Sequence, residues 1–274
     1  MTPEHLKQLL QHYGLKPNQT YGQHFLLNEI VLQDMVDSVP LKKGEAILEV
    51  GPGLGSLTEF LCRTGNPVLS VEKDSKFLPV LKALRIDNKN LTFEISDILH
   101  FNFQEALADF PDYHVVANIP YYITGKIIQL FVRATRKPKS ITLLIQKEVA
   151  ENVTAKPGQM NLLAISVQLF GDAKIIQKVL ARDFYPAPKV DSSVIQIILH
   201  DRPKYKLQDE KRFFALLRSC FSGKRKQLHN TLANYLHTTK IEAEKILQSI
   251  NISPQSRPQE LSIGEWINLY EKIS

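Results

Sequence analysis

The stretch Ala46-Ile47-Leu48-Glu49-Val50-Gly51-Pro52-Gly53-Leu54-Gly55-Ser56 decides how the chain folds. AILEV is short and mostly apolar, which reads as a buried strand. Gly51, Gly53 and Gly55 then let the backbone turn sharply and let a ligand come close to it. Leu57, Phe60 and Leu61 follow at helical spacing. Ser56 stands where a dinucleotide fingerprint needs its third glycine, so the pattern is E-x-G-x-G-x-G and not G-x-G-x-x-G.

The same alternation continues outward. Val68–Val71, Leu91–Ile95, Tyr113–Ala117 and Ile141–Gln146 read as further strands, and Phe77, Leu78, Leu81 and Leu84 mark a helix between the second and third. Strand and helix in alternation imply an α/β fold with a mainly parallel, Rossmann-like sheet covered on both faces. Lys174–Leu180 and Ser193–Leu199, joined by a proline-rich loop, are expected to close one sheet edge as an antiparallel pair. After His200 the pattern becomes helical, over Glu210–Phe221, Lys224–Leu236, Ile241–Ser249 and from about Ser262. The expected division is residues 1–200 as an α/β domain and 201–274 as a small helical domain.

Acidic residues stand at the ends of the next two strands. Glu72 follows Val71, where a carboxylate accepts hydrogen bonds from the ribose hydroxyls of a bound nucleoside. Asp97 follows the third strand, where it can accept from an adenine amino group. Either acid alone also reads as a solvated strand end; their register with the glycine loop favours a nucleoside site.

Asn118-Ile119-Pro120-Tyr121 follows the fourth strand. An isolated Asn-x-Pro-Tyr is an ordinary turn. In this setting it resembles the (D/N/S)-P-P-(Y/F) motif of amino-methyltransferases acting on adenine, which implies S-adenosylmethionine as the methyl donor. The residue types suit that chemistry. The lone pair of adenine N6 is delocalised into the ring, so the amine is a poor nucleophile and must be held in a pyramidal geometry. The Asn118 side-chain oxygen and the Ile119 carbonyl can accept its two N–H groups. Pro120 stiffens the turn, and Tyr121 offers a face for the base.

Composition sets the frame. The chain has 274 residues, 43% hydrophobic and 23% charged, enough for a large domain and a small one. The net charge is +6 and the pI about 9.1. Residues 181–274 hold 15 Lys and Arg against 10 Asp and Glu, so a net +5 of that +6 lies in the last third. An anionic partner is expected to draw on that part. Cys62 and Cys220 lie in no metal-ligand spacing and read as reduced, buried thiols. Neither a secretory signal nor an apolar run long enough to span a membrane is visible, so a cytoplasmic protein without metal is expected.

Near-full-length features point to one family. Tyr21-Gly22-Gln23-His24-Phe25-Leu26 is similar to an N-terminal L-G-Q-N-F-L segment, with His24 in place of Asn and Tyr21 in place of Leu. Phe184-Tyr185-Pro186-Ala187-Pro188-Lys189-Val190-Asp191-Ser192 matches F-x-P-x-P-K-V-D-S. Phe221-Ser222-Gly223-Lys224-Arg225-Lys226-Gln227-Leu228-His229-Asn230-Thr231-Leu232 resembles F-x-x-R-R-K-x-L-x-N-x-L, with Lys224 replacing Arg. These segments, with the glycine loop and N-I-P-Y, resemble the ribosomal RNA adenine N6,N6-dimethyltransferases. The resemblance implies that Gln23, His24, Leu26, Gly51, Gly53, Gly55, Glu72, Asp97 and Asn118 hold S-adenosylmethionine. It implies that Asn118, Ile119, Pro120 and Tyr121 hold the target adenine, with Phe184 as the second aromatic wall. Lys189, Lys224, Arg225 and Lys226 are implied as RNA backbone contacts, the last three at the start of a helix where cations do not serve the dipole.

Two branches share these motifs. Gln146–Ala150, Thr154–Gly158 and Arg257–Ser262 resemble the branch that modifies two adjacent adenines in a hairpin near the 3′ end of small-subunit rRNA as the subunit matures. The helical domain is then an RNA-recognition module, the partner an immature subunit and the enzyme a monomer. The alternatives are the large-subunit branch that confers antibiotic resistance and a non-catalytic assembly factor keeping the fold. The intact glycine loop and N-I-P-Y speak against the latter. A DNA adenine methyltransferase leaves 184–192 and 221–232 unexplained, and Ser56 disfavours a nicotinamide dehydrogenase.

Overall fold

A computed structural model describes residues 2–17, 22–202, 204–223 and 226–274. Tyr21 and the two expected RNA contacts Lys224 and Arg225 lie outside the described residues. The strands in chain order are β1 (Phe25–Leu26), β2 (Ala46–Val50), β3 (Val68–Glu72), β4 (Leu91–Ile95), β5 (Tyr113–Asn118), β6 (Ser140–Gln146), β7 (Gly171–Val179), β8 (Phe184–Tyr185) and β9 (Ser192–Leu199). Seven of them form one sheet in the order β4-β3-β2-β5-β6-β9-β7. The pairings from β4 through β6 are parallel; β9 runs antiparallel to both β6 and β7.

Burial follows position in the sheet. Every residue of β2 and β3 is buried, because helices cover both faces of a central parallel strand. The marginal strands β4 and β7 contain exposed residues such as Thr92, Glu94, Asp172 and Lys178. The chain order reverses direction at β2, since β3 lies on one side of it and β5 on the other. In open α/β sheets a ligand crevice forms at such a switch point, beyond the carboxyl ends of the strands.

The short pair β1–β8, Phe25 against Tyr185 and Leu26 against Phe184, has no periodic signal in the sequence. It is antiparallel and ties the N-terminal segment to the loop between β7 and β9. Helix Glu29–Asp37 then packs Leu32, Met35 and Val36 against Leu57, Leu61 and Val116.

The chain divides into two compact units, Met1–Ala150 with Gly171–Asp201, and Glu151–Phe170 with Arg202–Ser274. Residues 151–170, expected with the sheet, belong with the helices. The reason is burial: Ala155, Met160, Ala164, Ile165 and Leu169 join a core with Phe213, Leu217, Phe221 and Trp266. Gln259 strengthens the connection, its carbonyl accepting from the N–H groups of Gly158 at 2.9 Å and Met160 at 3.0 Å. In this unit the helices are Leu162–Gln168, Glu210–Phe221, Leu228–Leu236, Lys240–Ser249 and Ile263–Ile273. Lys226 therefore precedes the N-cap Gln227 and is not in the first helical turn, as its sequence suggested.

Candidate active site

A cavity opens at the carboxyl ends of β2, β3 and β5. Gly51, Gly53, Glu72, Asp97 and the whole of Asn118-Ile119-Pro120-Tyr121 line it, and Gln23, His24 and Leu26 come from the N-terminal segment. Residues separated by most of the sheet in sequence thus meet at the switch point.

The three glycines do different work. Gly51 has φ +71°, and a Cβ there would meet nothing within 4 Å, so its surface faces open space. Gly53 has φ +55°, with the Phe25 ring 3.4 Å from where a Cβ would stand. Gly55 was expected to touch the cofactor, yet it does not line the cavity. A Cβ at Gly55 would lie 2.1 Å from Leu84 Cδ1, so this glycine serves helix packing and caps helix Ser56–Cys62.

Glu72, the last residue of β3, is 7% exposed. Oε2 accepts from Gly53 N–H at 3.0 Å and Oε1 from Asp74 N–H at 2.8 Å. Burial pushes its carboxyl above the ordinary range, opposed by those two N–H bonds. Lys73 N–H adds a third such bond, and a carboxylate with about four acceptor positions keeps capacity for a ligand hydroxyl. Asp97 contrasts with it. Lys73 Nζ donates to its Oδ2 at 2.7 Å and holds its pKa below the usual range, with help from Leu99 N–H on Oδ1 at 3.0 Å. Together the glycine surface and the two acids fit the S-adenosylmethionine expected from the sequence: an open backbone approach, a buried acceptor for hydroxyls and a second acceptor for an amine.

Asn118 ends β5. Its amide nitrogen donates to the His24 carbonyl at 3.4 Å, which leaves Oδ1 as the acceptor. Pro120, at φ −56° and ψ 135°, leads into the single turn Tyr121–Ile123. The Tyr121 hydroxyl lies 2.7 Å from Ser192 Oγ. Burial pushes that phenol upward, opposed by the Ser192 bond, so it stays protonated near neutrality.

The ring parallel to Tyr121 is His24, with centroids 5.9 Å apart and planes inclined by 19°. His24 Nδ1 donates to the Pro186 carbonyl at 2.6 Å. The residue that departs from the family pattern therefore links the N-terminal segment, the Tyr121 ring and the loop after β8. Phe184, expected as the second wall, is 3% exposed and packs in the core with Leu26, Val31 and Leu32; it does not line the cavity. Its pairing with Leu26 turns the ring inward, because neighbouring residues of a strand point to opposite faces.

Sequence reasoning missed Lys73, Asp74, Phe25 and Ser192. Lys73 and Asp74 line the cavity beside Glu72, and Gln23 Nε2 donates to Asp74 Oδ2 at 3.4 Å. Adjacency to Glu72 was a usable signal for both. Ser192 closes the F-x-P-x-P-K-V-D-S segment, but nothing in that segment names Tyr121 as its partner, because the contact depends on β9 lying against β6. Lys189 is exposed on the loop after β8, outside the cavity lining.

Fold and cavity together define a methyltransferase that uses S-adenosylmethionine. The model of the family described as ribosomal RNA adenine dimethylase matches residues 14–274. A relative named "Ribosomal RNA small subunit methyltransferase A" from Dehalococcoides mccartyi (strain CBDB1) is 37% identical, covering 96% of this chain and 90% of its own. A dimethyladenosine transferase structure from Plasmodium falciparum superposes with a TM-score of 0.76 at 25% identity, over 90% of this chain and 98% of that one. The 23S rRNA methyltransferase ErmE shares the fold, with a TM-score of 0.73 at 23% identity over 91% and 99% of the two chains. The chain belongs to the ribosomal RNA adenine dimethylase family.

Proposed function

We propose that the protein dimethylates N6 of two adjacent adenines in a hairpin near the 3′ end of small-subunit (16S) rRNA, acting as a cytoplasmic monomer on an immature subunit. The observation that carries this reading is Asn118, whose amide oxygen is left as an acceptor in the cavity that Gly51 and Glu72 line. Relatives named as small-subunit methyltransferases support the choice of subunit.

Glu72 and Asp97 hold the ribose and adenine of the donor. Bound S-adenosylmethionine supplies a methyl group on a positively charged sulfonium, an electrophile that needs no further activation. Asn118 Oδ1 and the Ile119 carbonyl accept the two N–H groups of the target amine and favour the pyramidal nitrogen whose lone pair attacks. Tyr121 stacks on the base, and Pro120 keeps the acceptors in place with little entropic cost. Positioning thus provides most of the acceleration. Phe184 acts behind the site by pinning β1 to β8. The helical unit, with Lys224, Arg225 and Lys226, and the exposed Lys189 hold RNA phosphates.

Radiolabel transfer from S-adenosylmethionine to immature small subunits, followed by mass spectrometry of the rRNA, tests the proposal. N6,N6-dimethyladenosine at two neighbouring positions is expected. Transfer to naked large-subunit rRNA alone would overturn it.

A further inference from the structure

We propose that Tyr122 is a second stacking surface, for the nucleotide next to the flipped target adenine. The inference rests on the reading of an RNA adenine as target and extends it to a neighbour that the cavity itself does not hold.

Tyr121 and Tyr122 are consecutive and differently placed. Tyr121 is partly buried with its hydroxyl bonded to Ser192, whereas Tyr122 is 61% exposed at the cavity lining. Among the described residues no other phenylalanine, tyrosine or tryptophan is exposed.

The surroundings keep the ring accessible. Gly22 approaches one edge: a Cβ there would lie 3.9 Å from Tyr122 Cδ1 and 3.6 Å from Pro120 Cβ. Having no side chain at φ +59°, Gly22 leaves that edge clear. Beyond the turn, Gly125 is exposed with nothing within 4 Å of its Cβ position, and Lys126 is exposed. An aromatic face followed four residues later by a cation suits one nucleotide, its base on Tyr122 and its phosphate near Lys126.

The chemistry requires such a surface. Extruding one base removes a stacking partner from the base beside it. Aromatic stacking replaces that loss for any base, because every base has a π-face. Where the two targets are adjacent adenines, the base waiting on Tyr122 is the next substrate, one residue from the Tyr121 site.

The test uses the full chain and immature small subunits. Tyr122→Ala is expected to raise the KM for subunits about tenfold, the scale of one base–aromatic stack. Its affinity for S-adenosylmethionine is expected to stay at the wild-type value, and Tyr122→Trp to restore the KM. A wild-type KM in Tyr122→Ala overturns the inference, while transfer by the wild type leaves the function reading intact. Where Tyr122→Ala loses cofactor binding through misfolding, p-azidophenylalanine in place of Tyr122 decides by photo-crosslinking. A crosslink to a nucleotide adjoining a methylated adenine supports the inference; a crosslink elsewhere, or none to RNA, rejects it. Failure of the wild type to methylate any rRNA adenine would instead sink the function reading, and the same crosslink, mapped to adjacent adenines or elsewhere, still judges Tyr122.

Discussion

Strands β2, β5 and β6 carry polar side chains near both ends, and the two ends behave in opposite ways. At the amino ends, Glu45, His114 and Ser140 form a row. His114 Nδ1 lies 2.8 Å from Ser140 Oγ, and Nε2 lies 2.9 Å from Glu45 Oε2. Glu45 Oε2 also accepts from Lys42 N–H at 2.7 Å. Serine, histidine and glutamate in a row suggest a nucleophilic hydrolase. Here Ser140 and His114 are 0% and 1% exposed and both ring nitrogens are engaged, so the row is a structural latch. At the carboxyl ends, groups are left with capacity. Asn118 Oδ1 is an acceptor beside the cavity, and Glu49 Oε1 is buried without a hydrogen-bond partner among the described residues. Residue type does not separate latch from site; satisfaction and access do.

The largest effect is expected at the open end. Asn118→Ala should lower kcat by about 10²–10³-fold, the scale of one transition-state hydrogen bond in a preorganised site. Cofactor affinity measured by calorimetry should fall far less. Full retained activity would show that the open end is not the site.

At the closed end, His114→Ala should cost about 1–3 kcal/mol of stability by removing the hydrogen-bond partner that buried Glu45 and Ser140 share, with Lys42 N–H left as the remaining donor to Glu45. Thermal unfolding reads this change, and transfer per folded molecule should persist. An unchanged Tm would mean that the latch carries no weight.

The two ends also differ in the sign of their pH dependence. Burial pushes Glu45 up, but the bonds from His114 and Lys42 outweigh it and hold the carboxyl below its ordinary value. Its stabilising contribution is present at neutral pH and is lost as pH falls through that lowered value. Glu49 is the reverse: burial raises it from 4.5 to about 7, against the bonds from Ser70 and Thr58 and aided by the neighbouring Glu72. Its contribution is complete below about 4.5 and is lost as pH rises through about 7. Glu49→Gln should therefore flatten the profile of unfolding free energy against pH between about pH 5 and pH 8 by up to ~3 kcal/mol, read by denaturant unfolding, and a profile parallel to the wild type would remove this contrast.

The smallest effect concerns the other unit. Replacing Lys224, Arg225 and Lys226 together by Ala should weaken subunit binding and make its dependence on log salt shallower, by about 1 for each phosphate no longer neutralised. Cofactor affinity should not move. A salt slope equal to the wild type would place RNA binding elsewhere.

Much of this was legible in the chain. Ala46–Val50 and Leu91–Ile95 agree with the observed strands residue for residue: the first is the apolar run of a strand covered on both faces, the second alternates between exposed Thr92 and Glu94 and more buried neighbours at the sheet margin. The convergence of Gly51, Glu72 and Asn118 was legible because Glu72 and Asn118 end strands and Gly51 directly follows one, and strand ends converge at a switch point whatever the loops do. The packing of Gly55, Phe184 and residues 151–170 was not legible along the chain, because their partners Leu84, Leu26 and Phe213 lie far away in it.

By itself, the sequence determined the alternation of strand and helix, the glycine loop with its acids, and Asn118-Ile119-Pro120-Tyr121 beside them. Periodicity and turn chemistry are local, so they can be read along the chain. Tertiary structure alone decided that His24 stands parallel to Tyr121, that Ser192 holds the Tyr121 hydroxyl, that Glu45, His114 and Ser140 form a closed latch, and that Tyr122 is left open to water. Each of these depends on which distant groups come within a few ångströms, and only the packed sheet specifies that.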